Sequence, residues 1–402
     1  MIFSTMVLYC GVVTLLFWLL AKSLYNIFLH PLRNIAGLWY SFAIFDRDRR
    51  RIVLSDASLG PVVRITPEEV LINHIDAFTK IYSQGSKFDK AHYFYQPLVF
   101  QVDNLFTMCD RSQHAQDKRL LSHNFSKKGE RFSLDDTFQY LTLDLRCEFA
   151  FGVSANALDS ENFRHPIIET LELANHTIIL VRGLSYTQLN GNCLLPQMPQ
   201  FPALPKIARL IPGLPDSTVR LAQVRLFVPA IRPRISANIP IPFSDAHLVE
   251  EGVLMLVAGT DATAVSLATT MHYVLQQPEL YEKLWEEVQH VIGDSRPLFN
   301  DLDAFPLLDA CIKEGLRLSC QVRARMPRVV PEDGWTFNGQ FFKPGTIVSA
   351  SPLFLMRDPT VLPSPETFNP NRWITADDQQ MTKMLHYFHP FSRGSRQCIG
   401  KT

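Results

Sequence analysis

The chain has no excess of either charge: 39 Lys plus Arg are matched by 39 Asp plus Glu. That balance argues against general nucleic-acid binding, which needs a basic footprint. The marks of disorder, low hydrophobicity and high net charge, are both missing. No CxxC pair occurs among the seven cysteines (Cys10, Cys109, Cys147, Cys193, Cys311, Cys320, Cys398), which are scattered and odd in number. This excludes a zinc-ribbon pattern and argues against a disulfide framework. There is no GxSxG, no Walker loop and no GxGxxG opening a helix after a strand. Fixed-period repeats and low-complexity tracts are absent too. Charge itself is scarce, at 19% of the 402 residues against 47% hydrophobic.

The scarcity is greatest at the start. Met1 to Ala21 contains no charged residue, and Lys22 is the first. As a helix this run would be roughly 31 Å long, which matches a hydrocarbon core of about 30 Å. A cleaved signal peptide would instead need a positive n-region, a shorter apolar stretch and a small-residue cleavage site. None of these is clear, so the run predicts an uncleaved transmembrane anchor. Lys22, Arg33 and the cluster Arg47, Arg49, Arg50 and Arg51 follow it. By the positive-inside tendency the rest of the chain stays cytosolic. The expected organisation is an anchor over 1–21, a linker and basic juxtamembrane segment over 22–60, and one body over 61–402.

Within that body, residues 61–74 mix β-branched residues with a Pro–Glu–Glu turn and predict a short hairpin or strand pair. From about 111 to 176 the pattern is mostly helical. Residues 196–242 hold ten of the 27 prolines, six basic residues and one acid. Proline at that density excludes long helices. The segment reads either as a surface connection or as an apolar, basic lid touching the membrane near the anchor. A long helix over His247–Leu275 follows, with Ser244 and Asp245 as caps. Pro278 breaks it and starts the next helix, PELYEKLWEEVQHVI, which Gly293 ends. A third helix is expected over roughly Ala304 to Leu318. Asn338–Gly339 between aromatic arms signals a hairpin. Beyond Pro352 the pattern is loop-like, with His386 and His389 flanking an aromatic strand in structural roles. The fold class expected is mainly α with small β regions, not a doubly wound sheet.

The chemistry concentrates at the end, Phe391-Ser-Arg-Gly-Ser-Arg-Gln-Cys398-Ile-Gly400. A thiolate ligand needs neighbours that hold its charge, namely aimed backbone N–H groups and nearby cations. Gly394 permits a tight turn, Arg396 offers a fork suited to a carboxylate, and Phe391 supplies an apolar wall. Taken alone, a cysteine in such a loop is more often a plain core cysteine. Elsewhere, Glu314 and Arg317 sit at i, i+3 on one helix face, which in isolation is an ordinary surface ion pair. Inside the long helix, Ala258-Gly-Thr-Asp261-Ala-Thr263 places a glycine, an acid and hydroxyls where they are costly unless used. Its bland alternative is a kinked core helix with a threonine bonding back to a carbonyl.

The spacing Phe-x-x-Gly-x-Arg-x-Cys-x-Gly resembles the haem-binding loop of cytochromes P450, with every fixed position matched. The resemblance implies that Cys398 is the axial ligand of the iron of haem b and that Arg396 contacts a haem propionate. It makes Glu314, Arg317 and a downstream Arg372 a structural trio that braces the haem pocket. Asp261 and Thr263 would deliver protons during oxygen activation, although the usual Thr after the acid is Ala262. His114-Ala-Gln-Asp-Lys118 resembles a W-x-x-x-R segment, so Lys118 becomes a propionate contact; otherwise it lies on a solvated helix face. Arg328 matches a further propionate ligand. The stretches Tyr25–Leu32, Gly60–Pro67 and Phe88–Ala91 extend the likeness to fungal microsomal members, most similar to those acting on terpenoid and polyketide intermediates.

The resemblance implies a haem-thiolate monooxygenase that inserts one oxygen atom from O2 into an apolar small molecule. Electrons would come from NADPH through a P450 reductase docked on a basic face, with Lys118, Arg119, Lys127, Lys128 and Arg393 as candidates. The expected location is the endoplasmic reticulum membrane, single-pass, with the body in the cytosol. Family members continue past the cysteine loop into a helix and a β region, so the fold expected here lacks both after Thr402. A P450 that isomerises, dehydrates or uses peroxide is the first alternative. A truncated remnant without stable haem is the second.

Overall fold

The protein was analysed as a computed structural model, which describes residues 13–14, 17–18, 20–26, 28–35, 60–96, 99, 102–122, 142–144, 244–292 and 305–401. The Pro-rich segment 196–242, the Arg47–Arg51 cluster, Lys127 and Lys128 lie outside the described residues. So does most of the anchor expected over 1–21. Among the described residues no helix is long and apolar enough to cross a membrane.

The β-branched stretch after Gly60 forms two short antiparallel strands, β1 (Val62–Arg64) and β2 (Glu69–Ile72), in the register Val62 to Ile72. They belong to a five-stranded sheet with β3 (Asp89–Lys90), β4 (Arg328–Val329) and β7 (Ile347–Ser349), in the order β1-β2-β7-β4-β3. The sheet thus joins strands from opposite ends of the body. Its register sets Lys90 directly across from Arg328. A separate hairpin, β5 (Trp335–Phe337) and β6 (Gln340–Phe342), turns through Asn338 and Gly339 at φ 49° and 72°. Two successive positive φ values are what the Asn–Gly pair predicts.

Helix α1 (Ile75–Ile81) lies on the sheet and completes the main core, in which Val70, Ile72, Phe78, Ile81, Phe342 and Val348 are all buried. A short α2 (His92–Tyr95) and a twelve-residue α3 (Arg111–Ser122) follow. The long helix α4 (Asp245–Leu275) starts at Ser244, whose side chain accepts from His247 N as a Ser cap should. Pro278 opens α5 (Pro278–Ile292). Helix α6 (Pro306–Ser319) begins where Glu287 of α5 accepts from the backbone N–H groups of Leu307 and Leu308, at 2.9 and 3.0 Å. That carboxylate satisfies donors every helix start leaves open. Helices α4 and α6 pack tightly at Gly315, where a Cβ would stand 1.8 Å from Thr270 Oγ1.

Beyond Pro352 the chain is not simply loop-like. It forms α7 (Pro352–Leu355), α8 (Arg372–Thr375) and α9 (Asp378–Tyr387). Helix α9 is polar, which hid it, but Asp377 caps it by accepting from Gln380 N at 2.8 Å. His386 therefore sits in the last turn of a helix rather than beside a strand. His389, just after it, stacks on Phe78 with centroids 4.9 Å apart.

Candidate active site

Helix α6 presents Glu314 and Arg317 to the protein interior, both with 0% exposure. Arg317 grips Glu314 with two donors: Nε to Oε2 at 2.9 Å and a terminal nitrogen to Oε1 at 2.8 Å. Arg372, at the start of α8, donates its Nε to Glu314 Oε1 at 3.1 Å. Trp373 Nε1 and Asn369 N add bonds of 2.8 and 3.1 Å to the same carboxylate. Burial alone would raise this carboxyl's pKa. The bonds from Arg317, Asn369 and Trp373, with the Arg317 charge, outweigh burial and hold it below its ordinary value. Arg317 and Arg372 turn their other nitrogens to the carbonyls of Met356, Pro363, Pro365 and Thr367. The trio thus ties α6 to the segment between α7 and α8.

The cysteine loop leaves α9 through His389 and closes on itself, with Cys398 N donating to Phe391 O at 2.9 Å. Between them Gly394–Arg396 make one 3-10 turn. Gly394 has φ 73°, and a Cβ there would stand 2.1 Å from the carbonyl oxygen of Tyr82 at the end of α1. Only glycine allows that approach. Arg393 adds a bond to Thr79 Oγ1 at 3.0 Å. Cys398 is an exposed free thiol, Phe391 is half-buried and Gly400 is exposed.

Arg396 reaches the backbone that leads into α3. Its terminal nitrogens donate to Met108, Cys109 and Asp110 carbonyls at 2.9, 3.0 and 3.1 Å. In return Lys118 of α3 donates to the carbonyls of Ser395 and Gln397 at 3.0 and 2.9 Å. Lys118 is therefore engaged with the cysteine loop rather than lying on a free helix face.

Beside Arg396 lies a group of buried cations. Arg328, 4% exposed, bonds Tyr95 Oη at 2.9 Å and lies over the Tyr82 ring at 5.0 Å. Lys90, 5% exposed, donates to the Leu105 and Phe106 carbonyls at 3.3 and 2.8 Å and faces the Tyr95 ring. Burial, then the charges of Arg396 and Arg328, push the Lys90 pKa well down. Burial and Arg328 bring Arg396 down to about 10. His114, buried on α3, is depressed by its burial and by the same cations. Sequence reasoning missed Lys90. Its only signal was a lysine within a short strand, and the pairing with Arg328 becomes visible only in the sheet register.

On α4, Asp261 and Thr263 are half-buried and lie within one continuous helical element. The carbonyl of Ala262 accepts from Ser266 Oγ at 2.8 Å. Thr260, fully buried, has no hydrogen-bond partner for its hydroxyl among the described residues. No geometric link between these residues and the cysteine loop is defined by a direct contact.

These features define a class: a mainly helical protein with a cysteine loop braced by an internal Glu–Arg–Arg trio and flanked by buried cations. The family model described as Cytochrome P450 matches residues 234–402. The chain is 26% identical to the cytochrome P450 monooxygenase aneF of Aspergillus aculeatus, over 95% of this chain and 87% of that protein. It is 27% identical to astB of Aspergillus terreus, over 94% and 84%, and 29% identical to TRI4 of Fusarium sporotrichioides, over 96% and 83%. The C-terminal part of the chain, residues 234–402, thus matches the cytochrome P450 family model, and nearly the whole chain is similar to proteins named cytochrome P450 monooxygenases.

The family's cofactor is haem with thiolate-bound iron, supplied with electrons from NADPH through a reductase. The residues present fit such a group. Lys90, Arg328 and Arg396 are close, buried or half-buried, and bonded to carbonyls or a tyrosine rather than to carboxylates. Like charges set directly across a sheet are unfavourable. Burying unpaired cations is costly as well. A cofactor bearing two carboxylates would remove both penalties, and the loop that carries Arg396 also carries the exposed Cys398 thiol.

Proposed function

We propose that this protein is a haem-thiolate monooxygenase acting on an apolar small molecule, a terpenoid or polyketide intermediate of secondary metabolism. The observation that carries the haem reading is the cation group Lys90–Arg328–Arg396 beside the Cys398 loop. In this reading Cys398 ligates the iron, while Arg328, Arg396 and Lys90 hold the propionates. Phe391 is the apolar wall of the loop. When bound, the haem supplies the oxygen chemistry, and the protein supplies ligand, orientation and protons. Asp261 and Thr263 carry the protons. The named relatives are described as P450 monooxygenases, which supports the monooxygenase role by analogy.

The membrane reading is also a proposal. Residues 20–26 are helical, and nearby Phe17, Leu24, Phe28 and Leu29 are 73%, 48%, 62% and 67% exposed. Large apolar side chains left in contact with solvent suit a lipid surface. This supports an anchor over 1–21, a linker over 22–60, a haem body over 61–402 and residence in the endoplasmic reticulum membrane. Arg119 and Arg393 are the candidates for reductase docking on the described surface.

The test is the carbon-monoxide difference spectrum of the reduced protein, followed by product analysis with NADPH, reductase and labelled O2. A red-shifted thiolate-type Soret band and one labelled oxygen in the product are expected. Product formed only with peroxide, or without label, would refute the monooxygenase reading. Loss of the band in Cys398→Ser, with haem still bound, locates the ligand.

A further inference from the structure

Two stitches run in opposite directions between α3 and the cysteine loop. The loop sends Arg396 to three carbonyls that precede α3. Helix α3 sends Lys118 to the carbonyls of Ser395 and Gln397. Those two carbonyls lie on either side of Arg396, and the second belongs to the residue that precedes Cys398. On α3, His114, Asp117 and Lys118 share one face by their i, i+3, i+4 spacing, and the first two are buried. The face that points inward therefore delivers the Lys118 ammonium to the base of the loop. An ammonium has three donors, of which these bonds use two.

Resting on the reading of Cys398 as the iron ligand, we infer that Lys118 is a positioning residue for that ligand rather than a propionate contact. It clamps the backbone on the N-terminal side of Cys398. The geometry supports the clamp. Ser395 O is part of the 3-10 turn, and Gln397 is the residue that ends it. Tying both carbonyls to one nitrogen fixes the direction in which the chain enters Cys398. Groups that orient a metal ligand without touching the metal commonly set how firmly it is held. Lysine suits the task because it is a compact point charge with freely turning donors, whereas arginine's planar fork suits a carboxylate.

The experiment uses the full chain with haem bound, as wild type, Lys118→Met and Lys118→Gln. Two rates are followed. One is the decay of the thiolate-type carbon-monoxide band into the blue-shifted form that marks loss of thiolate ligation. The other is transfer of haem to excess apomyoglobin. K118M is expected to decay on the order of tenfold faster than wild type. K118Q, which keeps a neutral donor, is expected to fall between them. Haem transfer should change much less than band decay in both. Band decay at the wild-type rate in both variants would overturn the inference. So would faster haem transfer with unaltered decay, which would make Lys118 a propionate contact. If K118M binds no haem, K118Q decides alone by the same two rates. A wild type with haem but no thiolate-type band would instead remove the Cys398 reading itself.

Discussion

Two groups of buried arginines occupy this body, and they are built on opposite plans. Around Glu314, two arginines, an indole N–H and a backbone N–H converge on one carboxylate, and the spare donors end on carbonyls. The site is complete without any ligand. Around Arg328, the sheet register brings Lys90 opposite a like charge, with Arg396 close by, and their donors are met by carbonyls and a tyrosine. Hydrogen bonds there are satisfied but charge is not. The first plan is that of a brace. The second is that of a receptor, in which unbalanced charge makes the fold depend on an anion. The brace also serves the receptor, because α6 leads through Ser319 to the segment that ends in Arg328.

The comparison breaks most sharply at Glu314. Glu314→Gln leaves Arg317 buried without a counter-charge and replaces an acceptor-only carboxylate by an amide that also donates. Removing one partner of a buried pair costs about 3–5 kcal/mol. A loss of that size is a large share of a typical domain's stability. The variant is expected to unfold at much lower urea than wild type, with and without haem, as read by far-UV circular dichroism. A midpoint unchanged from wild type would mean that the network is not a brace.

Gly394→Ala should rank second and stay local. The substitution meets the Tyr82 carbonyl at 2.1 Å and holds a non-glycine residue at φ 73°. Strain of this kind costs on the order of 1–3 kcal/mol. Because the buried core of α1 and the sheet is formed by residues outside the loop, apo stability should fall modestly. The thiolate-type band should weaken far more than the midpoint shifts. Lys90→Met turns the comparison around. Loss of a cation from a like-charged group should leave the apo midpoint undiminished, while haem affinity drops by about tenfold, or roughly 1.4 kcal/mol. Equilibrium haem titration of the apo protein against wild type checks it. A lower apo midpoint with unchanged haem affinity would make Lys90 structural.

How far these plans were legible in the sequence follows from their geometry. Glu314 and Arg317 are one helical turn apart, so their meeting is a property of local spacing. The Asn338–Gly339 hairpin was equally local. The cysteine loop was legible as a motif because its glycine, arginine and cysteine act within ten residues. Lys90 was not legible, since its meeting with Arg328 depends on strands 238 positions apart finding one register. The reach of Lys118 into the cysteine loop spans a separation of 277 residues and was hidden for the same reason. Helix α9 was missed because its polar face carries little apolar periodicity and its cap, Asp377, looked like loop composition.

The smallest predicted effect tests whether surplus positive charge extends to the root of the loop. His389 stacks on Phe78, and burial, followed by Arg393 and His386, lowers its pKa from 6.5 to about 4, with Lys401 adding a smaller push. For a base depressed by folding, the folded protein binds fewer protons than the unfolded chain between those two values. Stability is therefore full above about pH 6.5 and declines as pH falls toward 4. His389→Phe keeps the ring stack and removes the proton site. Its urea midpoint should lose less than wild type's between neutral pH and pH 5, and the two proteins should differ little at pH 7.5. Equal acid sensitivity in both proteins would place the sensitivity elsewhere. His114, driven lower still by burial and then by Arg396, Lys90, Lys118 and Arg328, would then be the next position to replace. Its depression comes first from burial and then from the cations that await the cofactor, so haem binding should lessen the part those cations cause. The His389 contribution should persist in the holo protein, and that contrast separates charge waiting for a ligand from charge that is simply buried.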